Sequence, residues 1–392
     1  MSDLALERDH RVSPIELFFD LVFVFAFTEV TTLWLDQDSW GGLGRGLLVF
    51  VALWWAWASY AWLTNAANAE AGVVWAVLLF ATAGLFVAAL AVPEAFGSHR
   101  LVFGIALFAV VAAFVGLYAA VSKDRPDQLA AVVRMSRTVM PGVALIVGAA
   151  FVPPAWRPVL WALALVVGFF GPQLGGLSGW SVEPAHFAER HALIVIIAIG
   201  ESLGAIGFGA RDTALDFRVI VAVVLGVAAA ASFWLAYFDF AASGVEALLA
   251  ERRGAQRVAF ARDVYTYGHL PMVTGIILFA FATRAALAHI RSDLDPVESV
   301  ALCGGPALFL VAYGGFRWRA SHSLGRGRPI TAVAFAALIP AALHVPALAA
   351  LALVVAVWLG LHAYELIWWR EERARRRSRQ APQDSVAETQ TS

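Results

Sequence analysis

Apolar runs of about 20 residues, each closed by a short polar stretch, follow one another along most of the chain. A helix rising 1.5 Å per residue needs about 20 such residues to cross the ~30 Å hydrocarbon core of a bilayer. The pattern predicts twelve segments, at 15–35, 44–64, 71–92, 100–121, 129–152, 156–174, 187–209, 216–238, 261–285, 297–317, 329–345 and 347–369. The connections are short, so segments adjacent in sequence are expected to be antiparallel neighbours. The expected fold is an all-α polytopic membrane protein of about twelve transmembrane helices. A short N-terminal segment (1–14) precedes a first six-helix half (15–174) and a second (175–369). The tail at 370–392, REERARRRSRQAPQDSVAETQTS, is basic, then polar, and is expected to be disordered.

Composition agrees. The chain of 392 residues is 60% hydrophobic and 15% charged, against ~45–50% and ~25% for soluble domains. Fifteen tryptophans and 27 phenylalanines suit lipid-facing and interfacial positions. The single cysteine, Cys303, excludes an intrachain disulfide, and a net charge of −1 gives no reason to expect nucleic acid. The opening MSDLALERDHRVSP has no cleavable-leader pattern, so the first apolar run is read as a retained helix. Arginines set the orientation. With an even number of crossings, the tail arginines, Lys123 and Arg125, Arg252, Arg253 and Arg257, and Arg319, Arg326 and Arg328 all fall on one side. The positive-inside rule makes that side, and both termini, cytoplasmic.

The pattern is consistent with two parallel repeats. Glu16 precedes Glu29 in the first span much as Glu189 precedes Glu201 in the seventh. The following spans, WWAWASYAWLTN and ASFWLAYFDF, both hold Trp-x-x-Tyr (Trp57 to Tyr60, Trp234 to Tyr237) and then Asn65 or Asp239. Parallel repeats occur in some transporters.

The polar residues inside the spans are the informative ones. An ionisable group at bilayer depth costs about 2.5–3.5 kcal/mol or more, and it ordinarily faces protein or water and has a partner. Glu16 and Asp20 lie one turn apart on one face of the first span; Glu29 lies on the opposite face from Asp20, about 13 Å further on. That span is therefore expected to be largely surrounded by protein. In HFAERHALIVIIAIGESL, Glu189, Arg190 and His191 fill the first turns, and Glu201 lies about 18 Å deeper than Glu189, between Gly200 and Gly204. Close helix approach is expected at those glycines. Arg134 and Arg137, Asp239, Asp263 and His269 reach the same cytoplasmic half from other spans. The charges are thus expected to neutralise one another between helices, in a polar, water-accessible vestibule with Glu29 and Glu201 beyond it.

These stretches resemble the bacterial low temperature requirement protein A family. The resemblance rests on ELFFDLVFVFAFTEV (16–30), WWAWASYAWLTN (54–65), HFAERHALIVIIAIGESL (186–203), SFWLAYFD (232–239) and VYTYGHLPMVTGI (264–276). Where the family pattern leads us to expect an acidic cluster at the start of the third span, this chain offers only Glu70. The resemblance implies a multi-pass protein of the bacterial inner (plasma) membrane. It supplies no substrate or catalytic residue.

Glu29 and Glu201 read as protonatable coupling sites or as structural carboxyls. Arg134, Arg137, Glu189 and Asp239 read as an anion site, a gate or a salt-bridge lock; guanidinium forks suit carboxylates and phosphates. HFAERH offers His186, Glu189 and His191, but their spacing does not place all three on one helical face, which disfavours a metal site. His269, two residues before Pro271, reads as a polar group at a kink. No GxSxG, phosphate loop or cofactor motif is present. The leading expectation is a secondary transporter or permease for a small solute or ion, with pathway residues Glu16, Asp20, Glu29, Asn65, Arg134, Arg137, Glu189, Arg190, His191, Glu201, Tyr237, Asp239, Asp263 and His269. An intramembrane enzyme using Glu189, His191 and His269, or a scaffold with structural ion pairs, is the alternative. Oligomeric state is open.

Overall fold

The computed structural model describes residues 12–367 except 70, 175, 212 and 239–241. Helices account for the regular structure among the described residues, apart from one isolated bridge between Asp293 and Pro346. They are α1 (Pro14–Asp36), α2 (Trp40–Ala66), α3 (Gly72–Leu90), α4 (Arg100–Val121), α5 (Pro126–Gly148), α6 (Arg157–Leu174), α7 (Pro184–Ala210) and α8 (Phe217–Phe238). Then come α9 (Ala242–Glu251), α10 (Gly254–Phe260), a π-helical segment (Ala261–Tyr267), α11 (Gly268–Ala288), α12 (Pro296–Ser321), α13 (Gly327–Ala342) and α14 (Ala347–Ile367).

Ten helical stretches among the described residues are long and apolar enough to cross a membrane, and the protein is a multi-pass membrane protein. The stretches predicted at 156–174 and 329–345 correspond to α6 and α13, whose apolar parts are shorter. Hydrogen bonds tie the ends of both to neighbouring helices. Arg157, at the start of α6, donates to Phe96 O (2.7 Å), beyond the end of α3. The chain after α6 reaches Ser178, which accepts from Arg134 in the first half of α5. At the start of α13, Arg328 donates to Ala236 O at the end of α8 (3.0 Å). At its far end, Ala342 O accepts from Ser299 at the start of α12. The segment predicted at 261–285 is longer, running from Gly254 to Ala288 through the π-helical turn. A π turn widens the helix and re-aims its side chains, and such turns recur at functional sites.

Helix α1 starts at a capping box: Ser13 caps the first turn, Pro14 fixes its φ, and Glu16 reaches back to the cap. Its Leu17, Phe18, Leu21 and Val24 form an exposed stripe, so α1 is not enclosed as expected; one face meets lipid and the others meet protein. Helix α11 is the most buried of the long spans and packs against α7 and α12. The centre of the bundle is thus α1, α2, α7 and α11, and α8 lies further out. Within the two halves the packing corresponds: α1 touches α2 and α3 as α7 touches α8 and α11, and α3–α4–α5 follow one another as α11–α12–α13 do. Helices α11 and α12 cross backbone to backbone at Gly275 and Gly305, where a Cβ on either would overlap the other's carbonyl oxygen.

Candidate functional site

The residues of ELFFD and HFAERH meet between α1 and α7, which run parallel with their N-terminal ends side by side. Glu16 Oε2 accepts from the backbone N–H (2.9 Å) and hydroxyl (2.8 Å) of Ser13. Its Oε1 accepts from Arg190 Nη1 at 2.7 Å and lies 3.0 Å from His186 Nε2. Arg190 Nη2 donates to Asp20 Oδ1 at 2.7 Å, and the same oxygen accepts the indole N–H of Trp57 at 2.9 Å. Thr64 Oγ1 lies 3.3 Å from Arg190 Nη1. Asn65, at the end of α2, pairs with the backbone of Glu183 in both directions and approaches His186 Nδ1 to 3.2 Å. With the Asn65 amide donating there, the His186 proton sits on Nε2 and faces Glu16. Glu16, Asp20, Asn65, His186 and Arg190 are all 2% exposed or less. Two carboxylates meet one guanidinium.

A second layer sits against the first. His191 Nδ1 donates to Phe187 O (2.8 Å), and its ring is boxed by Trp57, Phe187, Tyr265 and His269 at centroid distances of 4.5–5.2 Å. His269 Nδ1 donates to Val264 O (3.1 Å) across the π turn, which leaves Nε2 to accept the Tyr237 hydroxyl at 2.8 Å. The π turn also exposes Thr266 O to the Trp54 indole N–H (3.1 Å). Three fully buried atoms in these layers have no hydrogen-bond partner: Asp20 Oδ2, Arg190 Nε and His191 Nε2. Leaving such a group unsatisfied costs about 1–3 kcal/mol.

Further along the same pair of helices, the Glu201 carboxyl is 2% exposed. Its Oε2 meets Thr28 Oγ1 at 2.5 Å and its Oε1 meets Thr31 Oγ1 at 3.0 Å. Each hydroxyl also lies in hydrogen-bond range of a backbone carbonyl, Val24 O for Thr28 (3.1 Å) and Thr28 O for Thr31 (2.8 Å). Two hydroxyl hydrogens therefore serve four acceptors. Between this site and the first layer the α1–α7 seam is apolar, built from Phe23, Phe27, Ile194 and Ala198. Arg284 of α11 is the cation facing Glu201 and the half-buried Glu29, and it donates to Thr32 at 3.1 Å.

Several expected members lie elsewhere. Glu189 is exposed and takes the Val12 N–H (3.1 Å), because α7 turns it away from the seam. Arg134 binds Ser178 O (3.0 Å) and Arg137 is exposed, so neither enters the network. Asp263 pairs with Arg262 (2.7 Å) and Arg319 (3.2 Å) nearer the surface. Asp239 and Glu70 fall outside the described residues. The polar network is buried in the interior where a water-accessible vestibule was expected. Added Cβ atoms at Gly200 and Gly204 would meet nothing within 4 Å, so no helix approaches there. Trp234 is 44% exposed, unlike its presumed counterpart Trp57, which is fully buried. Ser13, Thr28, Thr31, Trp57 and Thr64 are partners that the acidic pattern alone did not single out; Trp57 and Thr64 come from α2, which carries no acid of its own.

A family model described as bacterial low temperature requirement A protein (LtrA) matches residues 11–363. An uncharacterized protein of Rhizobium meliloti (strain 1021) is 32% identical over 321 residues, which covers 75% of this chain and 74% of that protein. No solved structure matches the chain.

Proposed function

The chain belongs to the bacterial low temperature requirement A family, and we propose that it is a secondary transporter or permease for a small solute or ion, coupled to protons or cations through Glu201. The observation that carries this reading is the set of partners of that carboxyl. It lies along the α1–α7 seam, met by two threonine hydroxyls that are also claimed by their own backbone, while Arg284, the cation facing it, is shared with Glu29 and donates to Thr32. A carboxyl kept there has the partners of a site that gains and loses a proton or cation, more than those of a fixed ion pair. The Glu16–Asp20–Arg190–His186 cluster serves as the closed gate on the side where α1 begins. The apolar seam between the two layers is what a protein that opens to one side at a time requires.

In the same reading the chain crosses the inner membrane twelve times with both termini cytoplasmic. The hydrogen bonds that tie the ends of α6 and α13 to neighbouring helices and the corresponding packing of residues 15–174 and 175–369 support that count and a six-plus-six parallel repeat. The unpartnered His191 Nε2 favours a second reading, acid-base chemistry within the membrane. The outward position of Glu189 weakens it.

The test is a ligand screen by thermal shift on purified protein at several pH values, run on wild type and Glu201→Gln. A ligand bound only by the folded state stabilises by about 2.7 kcal/mol at a hundred times its Kd. A hit that is lost, or loses its pH dependence, in Glu201→Gln supports coupling through Glu201. A variant that is less stable at every pH, with no hit in either protein, points to structural charge pairing instead.

A further inference from the structure

Beside the buried network, but separate from it, a cleft of about 70 Å³ opens between α2, α5, the connection at 176–180 and the π-helical turn. Its walls are rings: Trp55, Trp62, Trp180 and Tyr267. Tyr267 stacks on Trp55 at 6.1 Å, and Trp62 meets Trp180 edge to face at 6.0 Å. Aromatic walls favour a flat partner that can stack or present an edge.

Apart from its rings, the polar side chains lining the cleft are Ser59 of α2, whose hydroxyl donates to Trp55 O at 2.8 Å, and Arg262 and Thr266 of the π-helical turn. Arg262 spends Nε and Nη2 on Asp263 Oδ1, at 2.8 and 2.7 Å, and keeps Nη1 free of any protein acceptor among the described residues. The Thr266 hydroxyl accepts from the Trp62 indole at 2.9 Å, and its own hydrogen is uncommitted. Among the described residues no acidic side chain lines the cleft. Arg262 shares its carboxylate partner, Asp263, with Arg319. A cationic ligand would find rings but also unspent donors. A neutral apolar ligand would leave those donors unused.

We infer that this cleft binds a small amphipathic anion: a flat ring system seated among Trp55, Trp62, Trp180 and Tyr267, with a carboxylate, sulfonate or phosphate head on Arg262 Nη1 and Thr266 Oγ1. Such a ligand would lie one aromatic layer from the gate, because Trp62 packs on Phe187 at 5.0 Å and Phe187 O holds His191. The inference does not require that the protein transports anything, and a bound anion there would act on the gate as readily as pass through it.

The experiment uses the full chain in phosphatidylcholine nanodiscs, with anthracene carboxylate as the probe and energy transfer from tryptophan as the signal. Saturable transfer is expected, displaced by naphthoate, and absent with anthracenemethanol, which keeps the ring and lacks the charge. Arg262→Gln should weaken binding roughly tenfold or more, the size of a lost hydrogen bond to a charged group. Ser59→Phe, which fills the cleft from α2, should abolish it. Either variant alone decides the matter if the other does not fold. The proposal is overturned if transfer does not saturate, if both folded variants bind like wild type, or if anthracenemethanol binds equally well. It is also overturned if decanoate displaces the probe as readily as naphthoate, because the cleft would then be a seat for lipid chains.

Discussion

Replacing Arg190 by methionine tests the central network most directly. The guanidinium is fully buried and donates at 2.7 Å to both Glu16 and Asp20, which are themselves 2% and 1% exposed. Methionine fills a similar volume, so packing changes little and the loss is electrostatic. Two buried carboxylates would be left with His186 as their only nearby cation-forming group. Removing one partner of a buried ion pair costs about 3–5 kcal/mol, mostly because the other charge is stranded. At about 2–4 °C per kcal/mol in a 150–250-residue domain, and less in a longer chain, the midpoint should fall by roughly 5–10 °C. The assay is thermal unfolding in nanodiscs, with reversible detergent unfolding as a second measure. The informative control is the triple variant Glu16→Gln, Asp20→Asn, Arg190→Met, which removes every charge and keeps the shapes. It should recover most of the lost stability. A single variant within about 1 kcal/mol of wild type, or a triple variant no better than the single, would refute the claim that stranded charge is what the arginine prevents.

Two further expectations concern other parts of the molecule. Gly275→Ala and Gly305→Ala should each destabilise by about 1–3 kcal/mol through overpacking of the α11–α12 crossing. The pair should cost less than the sum, since the first methyl already parts the helices; Gly200→Ala, with nothing within 4 Å, should stay within about 0.5 kcal/mol of wild type. At the opposite end of the bundle, burial and the neighbouring Asp295 raise the Asp38 carboxyl above its ordinary value. An acid raised by folding costs stability as pH climbs through the carboxylate range, because the folded state there holds more protons than the unfolded. Asp38→Asn should therefore raise the melting temperature near pH 7 and lose that advantage near pH 3; an equal gain at both pH values would contradict the assignment.

How the site could be read in advance differs from residue to residue. Glu16, Asp20, Asn65, Arg190 and His191 were legible because intramembrane polar groups must find one another, and few were available. Their pairing across helices was legible for the same reason. What could not be read was rotation. Glu189 is adjacent in sequence to Arg190 yet a full helical step of about 100° away, and that step puts it outside. Arg134 and Arg137 sit at the correct depth but on α5, which does not touch α1 or α7 closely. The hydroxyl and indole donors were hidden because threonine and tryptophan are unremarked in an apolar span. The π turn was invisible because ARDVYTY carries no sequence signal for one extra residue per turn. Segment lengths were legible, whereas the centrality of α11 was a matter of tertiary packing.

The clamp on Glu16 has a consequence for how the protein is made. Glu16 and Arg190 are separated by 174 positions in the chain. At about 5–20 residues per second, α1 leaves the ribosome roughly 10–35 s before its arginine exists. For that interval Glu16 and Asp20 of the first helix lack the arginine that pairs with both. The helix must wait in a wet or shielded place, at the insertion machinery or the membrane surface, until α7 arrives. A chain arrested before α7 should hold α1 only loosely in the bilayer, and commitment of the first helix is then an event of mid-synthesis.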